Sequence, residues 1–194
     1  MFVSDLRHFL DLPADAPGPA RRMAEHLTLI VRSATAGGSG LTWVSALKCN
    51  RRPKHVACPG HLGLRRSDVP ASIAWRCTSC DDEGTISGWE GSPFDLRLRS
   101  GDPVPTTGVQ VVVSSDVAGT LRSLMLLDAA SERVVFRAEV VEDVIVLSCD
   151  QDDLDELAGS VAAEANHEED RRRRRRLNAA FAVLNDALMR PGGR

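Results

Sequence analysis

The stretch from Cys49 to Cys80 reads CNRRPKHVACPGHLGLRRSDVPASIAWRCTSC and holds four of the chain's five cysteines. Cys58 and His61 form a C-x2-H step, Cys77 and Cys80 form a C-x2-C step, and Cys49 lies nine residues before Cys58. Two such steps, separated by a strand or a hairpin, are how a small module gathers four soft ligands around Zn²⁺. The spacing therefore predicts one zinc ion in a zinc-ribbon-like module.

Two ligand sets compete for this ion. One set consists of the cysteines alone, Cys49, Cys58, Cys77 and Cys80, and the other replaces Cys49 with His61. Thiolate is the softer ligand and four thiolates make a closed structural site, whereas the His61 set has the tidier spacing. We favour the four cysteines. Because no export signal accompanies them, we also expect a reducing compartment and metal binding instead of disulfides.

The composition fits an ordinary soluble protein. The chain has 194 residues, 43% of them apolar, and a formal net charge of −3. No apolar run approaches the roughly 20 residues of a membrane span. The first residues, MFVSDLRHFLDLP, carry charges within their apolar positions and lack the apolar centre of a signal peptide. We therefore expect a cytoplasmic protein that does not associate with a membrane.

The pattern predicts an α+β fold in three parts. Residues 1–40 predict an N-terminal helical segment, with a short helix over 4–10 and an amphipathic helix that begins near Pro19 and ends in the glycine cluster 37–40. Residues 41–99 predict the small zinc-ribbon-like β module, with strands over 41–47, 61–66, 71–77 and 84–89. A module of this size buries little surface, so metal binding would supply much of its folding free energy.

The third part, residues 109–190, follows the linker-like segment SGDPVPTTG and predicts an α+β domain in the order βαββαα. Its strands are predicted over 109–113, 134–140 and 143–149, with a helix from Ser115 after the first strand and a tight turn near Glu142. Two helices, 152–166 and 170–189, complete it. We expect a break between them, with Asp170 as N-cap. The stripe Leu177, Phe181, Leu184 and Leu188 is expected to be buried.

Basic residues surround the cysteines. Between Lys48 and Arg76 there are seven cations against one acid, Asp68, which is a net charge of +6. Such a patch is typical of surfaces that contact phosphates. The candidate nucleic-acid contacts are Arg51, Arg52, Arg65 and Arg66. Alternatively, these cations offset the −2 charge that four thiolates leave on Zn²⁺.

A run of six arginines, Arg171 to Arg176, follows Glu168, Glu169 and Asp170. Acids placed four residues before cations favour ion pairs along a helix. We therefore interpret the run as a solvated, ion-paired helix face, with the acid-rich residues 150–156 nearby in a hairpin. An arginine-rich arm for RNA or DNA is the alternative.

Enzyme motifs such as G-x-S-x-G, a P-loop or H-E-x-x-H do not occur in the sequence. Glu164 and His167 form a single E-x-x-H step, and a helical di-iron site needs a second one. Our first hypothesis is therefore a non-enzymatic zinc-binding protein that acts as an adaptor or interaction module for an unknown protein partner. The alternative is a nucleic-acid-binding regulator that uses the basic zinc module. A third hypothesis is a metal- or thiol-dependent enzyme, in which Cys49 or Cys58 acts as a nucleophile or the zinc site keeps an open position.

Three segments resemble a family of actinobacterial proteins of unassigned function: MFVSDLRHFLDLP, CPGHLGLRRSDVPASIAWRCTSCDDEGTISGWEGSPFDLR and AAEANHEEDRRRRRRLNAAFAVLNDAL. The resemblance spans most of the chain. It implies cysteines at the positions of Cys49, Cys58, Cys77 and Cys80, whereas the position of His61 varies in the family. It implies no activity, substrate or partner. The family usually has glycine after the last cysteine, where this chain has Asp81, and glycine eases the tight backbone after a zinc knuckle.

Overall fold

The computed structural model describes residues 2–13, 15–99 and 108–190. The chain divides into two compact units, residues 1–99 and residues 100–194. Both units contain helices and strands, which confirms the α+β class. Of the predicted linker, residues 100–107 lie outside the described residues.

The first unit consists of a five-stranded sheet and one long helix. Its elements are β1 (Phe2–Asp5), α1 (Gly18–Ala36), β2 (Thr42–Lys48), β3 (His61–Asp68), β4 (Ala71–Cys77) and β5 (Glu83–Ser87). The strands lie in the order β1-β5-β4-β3-β2. β1 runs parallel to β5, and the other neighbours are antiparallel. Short 3-10 helices occupy Leu6–Phe9, Pro53–His55 and Leu96–Arg99.

The start of the chain differs from the sequence prediction. Residues 4–10, expected as a helix, contribute the end of β1 and a single 3-10 turn, so α1 follows a strand. Phe2 pairs with Gly84 and Asp5 with Ser87 in the register of β1 with β5. The pairing joins segments far apart in sequence, and local periodicity carries no signal for such a contact.

Helix α1 packs on one face of this sheet. Its buried residues Leu27, Ile30, Val31 and Ala34 recur at three- and four-residue spacing, as an amphipathic helix requires. They belong to one hydrophobic cluster with residues of the sheet, among them Trp43, Leu62, Leu64, Ile73, Trp75 and Ile86. The residues of the predicted segments 1–40 and 41–99 thus share one core.

A buried arginine on β3 caps the C-terminal end of α1. Arg66 is 7% exposed, and its Nη1 donates hydrogen bonds to the carbonyl oxygens of Ala34 (3.2 Å), Thr35 (3.2 Å) and Gly37 (2.7 Å). The last carbonyls of a helix have no partner within the helix, and a cation there also interacts favourably with the helix dipole. Arg66 Nε donates to Asp68 Oδ1 at 3.0 Å. Arg66 therefore fixes α1 to the sheet.

Arg97 extends this network to the last segment of the unit. Its guanidinium donates two hydrogen bonds to the buried carboxylate of Asp95, at 2.9 and 2.8 Å, and a third to Asp68 Oδ1 at 3.1 Å. It also lies 4.4 Å from the centre of the Trp89 ring, within the range of a cation–π contact. Burial acts to raise the pKa of Asp95, but the hydrogen bonds from Arg97 and from Gly91 N–H bring it below its usual value.

The second unit contains three strands and four helices. They are β6 (Val109–Val113), α2 (Ser115–Arg122), α3 (Ala129–Arg137), β7 (Glu139–Val141), β8 (Val144–Cys149), α4 (Gln151–His167) and α5 (Arg171–Leu188). β8 lies between β7 and β6 and is antiparallel to both. Glu142 and Asp143 have φ angles of 48° and 67°, which form the tight turn predicted near Glu142.

The predicted strand 134–140 is wrong over residues 134–137 and correct over residues 139 and 140, which belong to β7. Residues 129–137 form α3, so the observed order is βααββαα. Asp128 caps this helix, because its Oδ1 accepts hydrogen bonds from the N–H groups of Ala130 and Ser131. Val134, Val135 and Phe136 favour strands by propensity, yet they are buried in a helix, since packing overrides propensity in a short segment.

The break between α4 and α5 is confirmed. Asp170 Oδ1 accepts a hydrogen bond from Arg173 N at 2.7 Å, so Asp170 is the N-cap of α5. The buried stripe of α5 differs from the prediction, because Ala180 takes the place expected for Phe181, which is 36% exposed. Leu177 and Leu184 are fully buried, as expected.

Candidate metal centre

Four thiols converge at one end of the first sheet. All Sγ atoms of Cys49, Cys58, Cys77 and Cys80 lie within 4.8 Å of one another. Cys58 Sγ and Cys77 Sγ are 3.6 Å apart, and Cys49 Sγ and Cys80 Sγ are 3.7 Å apart. Sulfurs at about 2.3 Å from a tetrahedral zinc lie about 3.8 Å from each other, whereas a disulfide needs about 2.05 Å. The spacing therefore fits a tetrahedral metal ion, and no disulfide joins these four sulfurs.

The first pair of thiols belongs to the loop between β2 and β3. Cys49 follows the last residue of β2, and its N–H donates to the carbonyl of Gly60 at 2.9 Å. Cys58 N donates to the carbonyl of Arg51 at 2.9 Å. These two hydrogen bonds close the loop and turn both side chains towards the cluster.

The second pair comes from the turn between β4 and β5. Cys77 is the last residue of β4, and its N–H donates to the carbonyl of Asp82 at 2.8 Å, which closes the turn around Cys80. Asp81 lies in this turn, at the position where the family that the chain resembles usually has glycine. Asp81 is not among the described residues with a positive φ angle, so its backbone conformation does not require glycine.

Backbone N–H groups point at the sulfurs in both loops. Arg51 N lies 3.4 Å from Cys49 Sγ, and Ser79 N lies 3.3 Å from Cys77 Sγ, each two residues after its cysteine. Burial raises the pKa of the Cys49 thiol. Burial also acts to raise the pKa of Cys77, but hydrogen bonds from the N–H groups of Ser79 and Cys80 and from neighbouring thiols lower it overall. Such donors stabilise thiolate, the form that binds metal.

Gly60 is part of the site, although the sequence analysis did not single it out. A Cβ atom at this position would lie 2.5 Å from Cys77 Sγ and 2.9 Å from Ser79 Cβ. Only glycine allows the first loop to approach the second so closely. The one signal in the sequence was its place two residues after Cys58.

His61 stands apart from the cluster found among the described residues, which contains Cys49 instead. His61 is the first residue of β3, and its backbone N–H donates to Thr78 Oγ1 at 3.0 Å. Asp82 lies closer to the sulfurs, with Oδ2 3.8 Å from Cys49 Sγ and Oδ1 3.7 Å from Arg51 Nε. Asp82, which lies in the turn after β4, thus contacts two residues of the loop after β2 without being one of the four thiols.

The four arginines named as nucleic-acid contacts do not share a surface. Arg51, Arg52 and Arg65 are exposed, but Arg66 is buried and holds the end of α1. This corrects the expectation for Arg66. Arg76, counted in the same basic patch, lies 3.6 Å from Glu83 Oε2. Fewer cations of the patch are therefore free to contact phosphates than the sequence suggested.

A groove of about 950 Å³ adjoins both cysteine loops. Phe2, Met23, Leu29 and Trp75 contribute its apolar lining. Its charged residues are the cations Arg22, Arg51 and Arg52 and the acids Glu25, Asp81, Asp82 and Glu83. The groove therefore offers charges of both signs beside apolar surface.

Comparison with protein-family models, with curated proteins and with solved structures gave no match for this chain. In the part of the chain that the structure describes, no helix combines the length and the apolar character needed to cross a bilayer.

Proposed function

We propose that this protein is a non-enzymatic zinc-binding protein in which Cys49, Cys58, Cys77 and Cys80 hold one structural Zn²⁺. The observation that carries the proposal is the convergence of four sulfurs within 4.8 Å of one another. Among common metals, tetrahedral sites with four sulfur ligands take zinc or iron. We choose zinc because a closed site of four thiolates is a usual structural zinc site.

A structural role, not a catalytic one, follows from how completely the thiols enclose the ion. A catalytic zinc keeps one position open for water or substrate, and here the protein would fill all four. Cys49, Cys58 and Cys77 are at most 6% exposed and belong to the core cluster of the first unit. The ion would therefore connect the loop after β2 with the turn after β4 and stabilise the sheet between them.

We further propose that the zinc module serves as an adaptor for a protein partner in the cytoplasm. The groove beside the cysteine loops supports a protein partner over a nucleic acid, because four acids line it against three cations. The free thiols of all five cysteines agree with a reducing compartment. Membership in the actinobacterial family that the chain resembles is part of the same proposal.

The alternative is a regulator that binds nucleic acid through the zinc module. The exposed Arg52 and Arg65 favour it, since no ion pair joins either side chain to another described residue. The burial of Arg66 and the pairing of Arg51 with Asp82 disfavour it, because they leave fewer cations to contact phosphates.

Elemental analysis of protein purified from zinc-replete cells tests the metal. We expect one zinc per chain, released when the thiols are modified with a mercurial. Protein that carries iron, or no metal with its four thiols intact, would contradict the proposal. A Cys149→Ala variant is the matched control, because Cys149 belongs to the other unit and should not alter zinc content.

The adaptor role needs a separate experiment. Tagged protein is recovered from its native cells with and without nuclease treatment, and the same is done with an Arg51→Glu, Arg52→Glu variant. A protein partner should survive the nuclease and be lost with the variant. Partners that disappear on nuclease treatment and are also lost with the variant would support the alternative instead.

A further inference from the structure

The arginine run at the start of α5 is far less neutralised than its sequence context suggests. Among the residues that the structure describes, acids pair with one arginine of the run, Arg173, which contacts Glu164 and, at 3.1 Å, Glu168. The other arginines are exposed, and no hydrogen bond or ion pair joins their side chains to another described residue: Arg171, Arg172, Arg174, Arg175 and Arg176. The expected ion-paired face is therefore confined to one residue of the six.

The acid-rich start of α4 does not neutralise these arginines either. The pairing of Glu164 with Arg173 makes α4 and α5 an antiparallel hairpin. Residues 150–156 thus lie towards its opposite end, roughly 16–25 Å from the last residue of α4 at the rise of an α-helix. Exposed charges farther apart than about 8 Å are largely screened at physiological salt. The local field at the start of α5 is positive, although the protein as a whole is negative.

The position of the five arginines within α5 is unfavourable for the isolated protein. Cations at the first turns of a helix meet the positive end of its dipole, and like charges three and four residues apart repel each other. Asp170 is the N-cap and Glu169 is exposed, so these two acids offset only part of the charge. A polyanionic partner would relieve this repulsion.

The arginines surround the exposed face of α5 on both flanks. At 100° per residue they span about 200° of the helix circumference, from Arg174 on one side through Arg171 and Arg175 to Arg172 and Arg176 on the other. The exposed residues that follow between the flanks are small: Asn178, Ala179 and Ala182. No acid occurs between Asp170 and Asp186. Arg171 and Arg175 lie at the centre of this arc, and the small residues continue it towards the C-terminus of α5 as a narrow face.

We infer that α5 binds duplex DNA, with this narrow face in the major groove and the arginines that precede it on the phosphates of both strands. The major groove admits one α-helix, and phosphates line it on two sides, which matches cations on two flanks. Guanidinium groups bind phosphate oxygens with two hydrogen bonds at once, so arginine suits this contact better than lysine. The contacts are with the backbone and are independent of base sequence.

A lipid surface is the other polyanion to consider. A helix that lies on a membrane buries an apolar face in the bilayer and keeps its cations on the opposite face. In α5 the apolar residues Leu177, Ala180 and Leu184 are buried within the protein. Met125 and Leu126 are exposed, but they belong to a loop outside α5. The arrangement favours DNA.

The inference is independent of the zinc proposal, because it concerns only the second unit. Binding of the full-length protein to a short fluorescein-labelled DNA duplex is measured by anisotropy at several salt concentrations. With four or five phosphate contacts, log K should fall with log salt at a slope of about −4, a loss of about 250-fold between ~50 and ~200 mM. Replacing the five exposed arginines of α5 by Gln should weaken binding at least ~10-fold and flatten that slope.

A charge-matched variant provides the control. It replaces five exposed arginines of the first unit by Gln: Arg21, Arg22, Arg51, Arg52 and Arg65. It should bind DNA like the wild type. A second variant, Ala182→Glu, keeps every arginine and places a carboxylate in the centre of the narrow face. It should also weaken binding about tenfold or more if the helix enters the groove.

The results distinguish DNA binding by α5 from DNA binding by the zinc module and from membrane binding by α5. Zinc content and circular dichroism establish that each variant is folded. If the variant with all five α5 arginines replaced does not fold, the Ala182→Glu variant still tests the inference. If the wild type fails to bind at low salt, or if the α5 variant binds as well as the wild type, the inference is wrong. Loss of binding only in the first-unit variant would assign DNA to the zinc module. Binding to vesicles with anionic lipid but not to DNA would make α5 a membrane contact.

Discussion

Cys58 Sγ and Cys77 Sγ lie 3.6 Å apart, although 19 residues and two strands of the sheet separate them in the chain. The contact closes the end of the β3–β4 pair, in which Leu62 is opposite Cys77. Four thiols at this separation repel one another when ionised, so the arrangement is stable as a thiolate cluster only around a cation. The first unit should therefore depend on metal for its folding.

Cys77→Ser should abolish zinc binding and lower the thermal stability of the first unit. A hydroxyl is a poor zinc ligand, and the remaining thiolates would lack a counter-charge. Zinc content and the thermal transition measured with tryptophan fluorescence check this, because all three tryptophans, Trp43, Trp75 and Trp89, lie in this unit. An unchanged transition with zinc lost would show that the metal is not structural.

Gly60→Ala should lower zinc affinity without removing a ligand. Its Cβ would lie 2.5 Å from Cys77 Sγ, so the two loops must separate. Competition with a chromogenic chelator measures the affinity. Gly119→Ala is the control, since a Cβ there meets nothing within 4 Å, and in α2 it should stabilise the protein by about 0.5–1 kcal/mol. Equal zinc affinity in both variants would contradict the close approach.

Arg66→Gln should destabilise the protein by about 3 kcal/mol. Three carbonyls at the end of α1 would lose the donor that Arg66 Nη1 provides, and buried acceptors without partners cost about 1–3 kcal/mol each, in part recovered by relaxation. Urea unfolding gives the free energy. The neighbouring Arg65→Gln serves as control. Arg65 is exposed, and its replacement should cost less than about 0.5 kcal/mol.

Phe181→Ala should cost less than about 1 kcal/mol, whereas Leu184→Ala should cost about 2–5 kcal/mol. Phe181 is 36% exposed on α5, and Leu184 is fully buried. The comparison uses the same urea experiment. A larger loss for Phe181 than for Leu184 would mean that α5 is rotated about its axis relative to the structure.

Asp5 should titrate with a pKa of about 2, well below its usual 3.8, because the Arg7 side chain and the Arg7 N–H donate hydrogen bonds to its carboxylate. A pKa lowered by folding contributes stability at pH above about 4, and this contribution is lost as the pH falls towards 2. NMR titration of the Asp5 carboxyl measures the pKa. Arg7→Gln should return it most of the way to 3.8, and an unchanged pKa would exclude Arg7 as the cause.

Local signals predicted those elements whose partners are near in sequence. The C-x2-C step, the strand 71–77 and the N-cap Asp170 are examples, since each depends on a spacing of a few residues. The same signals failed at residues 134–137, where β-branched residues form a helix because Asp128 caps it and the unit buries its apolar side.

The sequence by itself determined the candidate metal ligands, which are the four clustered cysteines and His61, because thiolate chemistry and knuckle spacing are local properties. The tertiary structure brought Cys49 and not His61 into the cluster. Only the tertiary structure decided how the cations are used. Arg66 and Arg65 are adjacent in a strand, and strand geometry sends one side chain to the core and the other to solvent. In α5, Arg173 faces Glu164 while its neighbours face outward. Charge counted along a chain does not distinguish these cases, because pairing depends on which side of an element meets the rest of the protein.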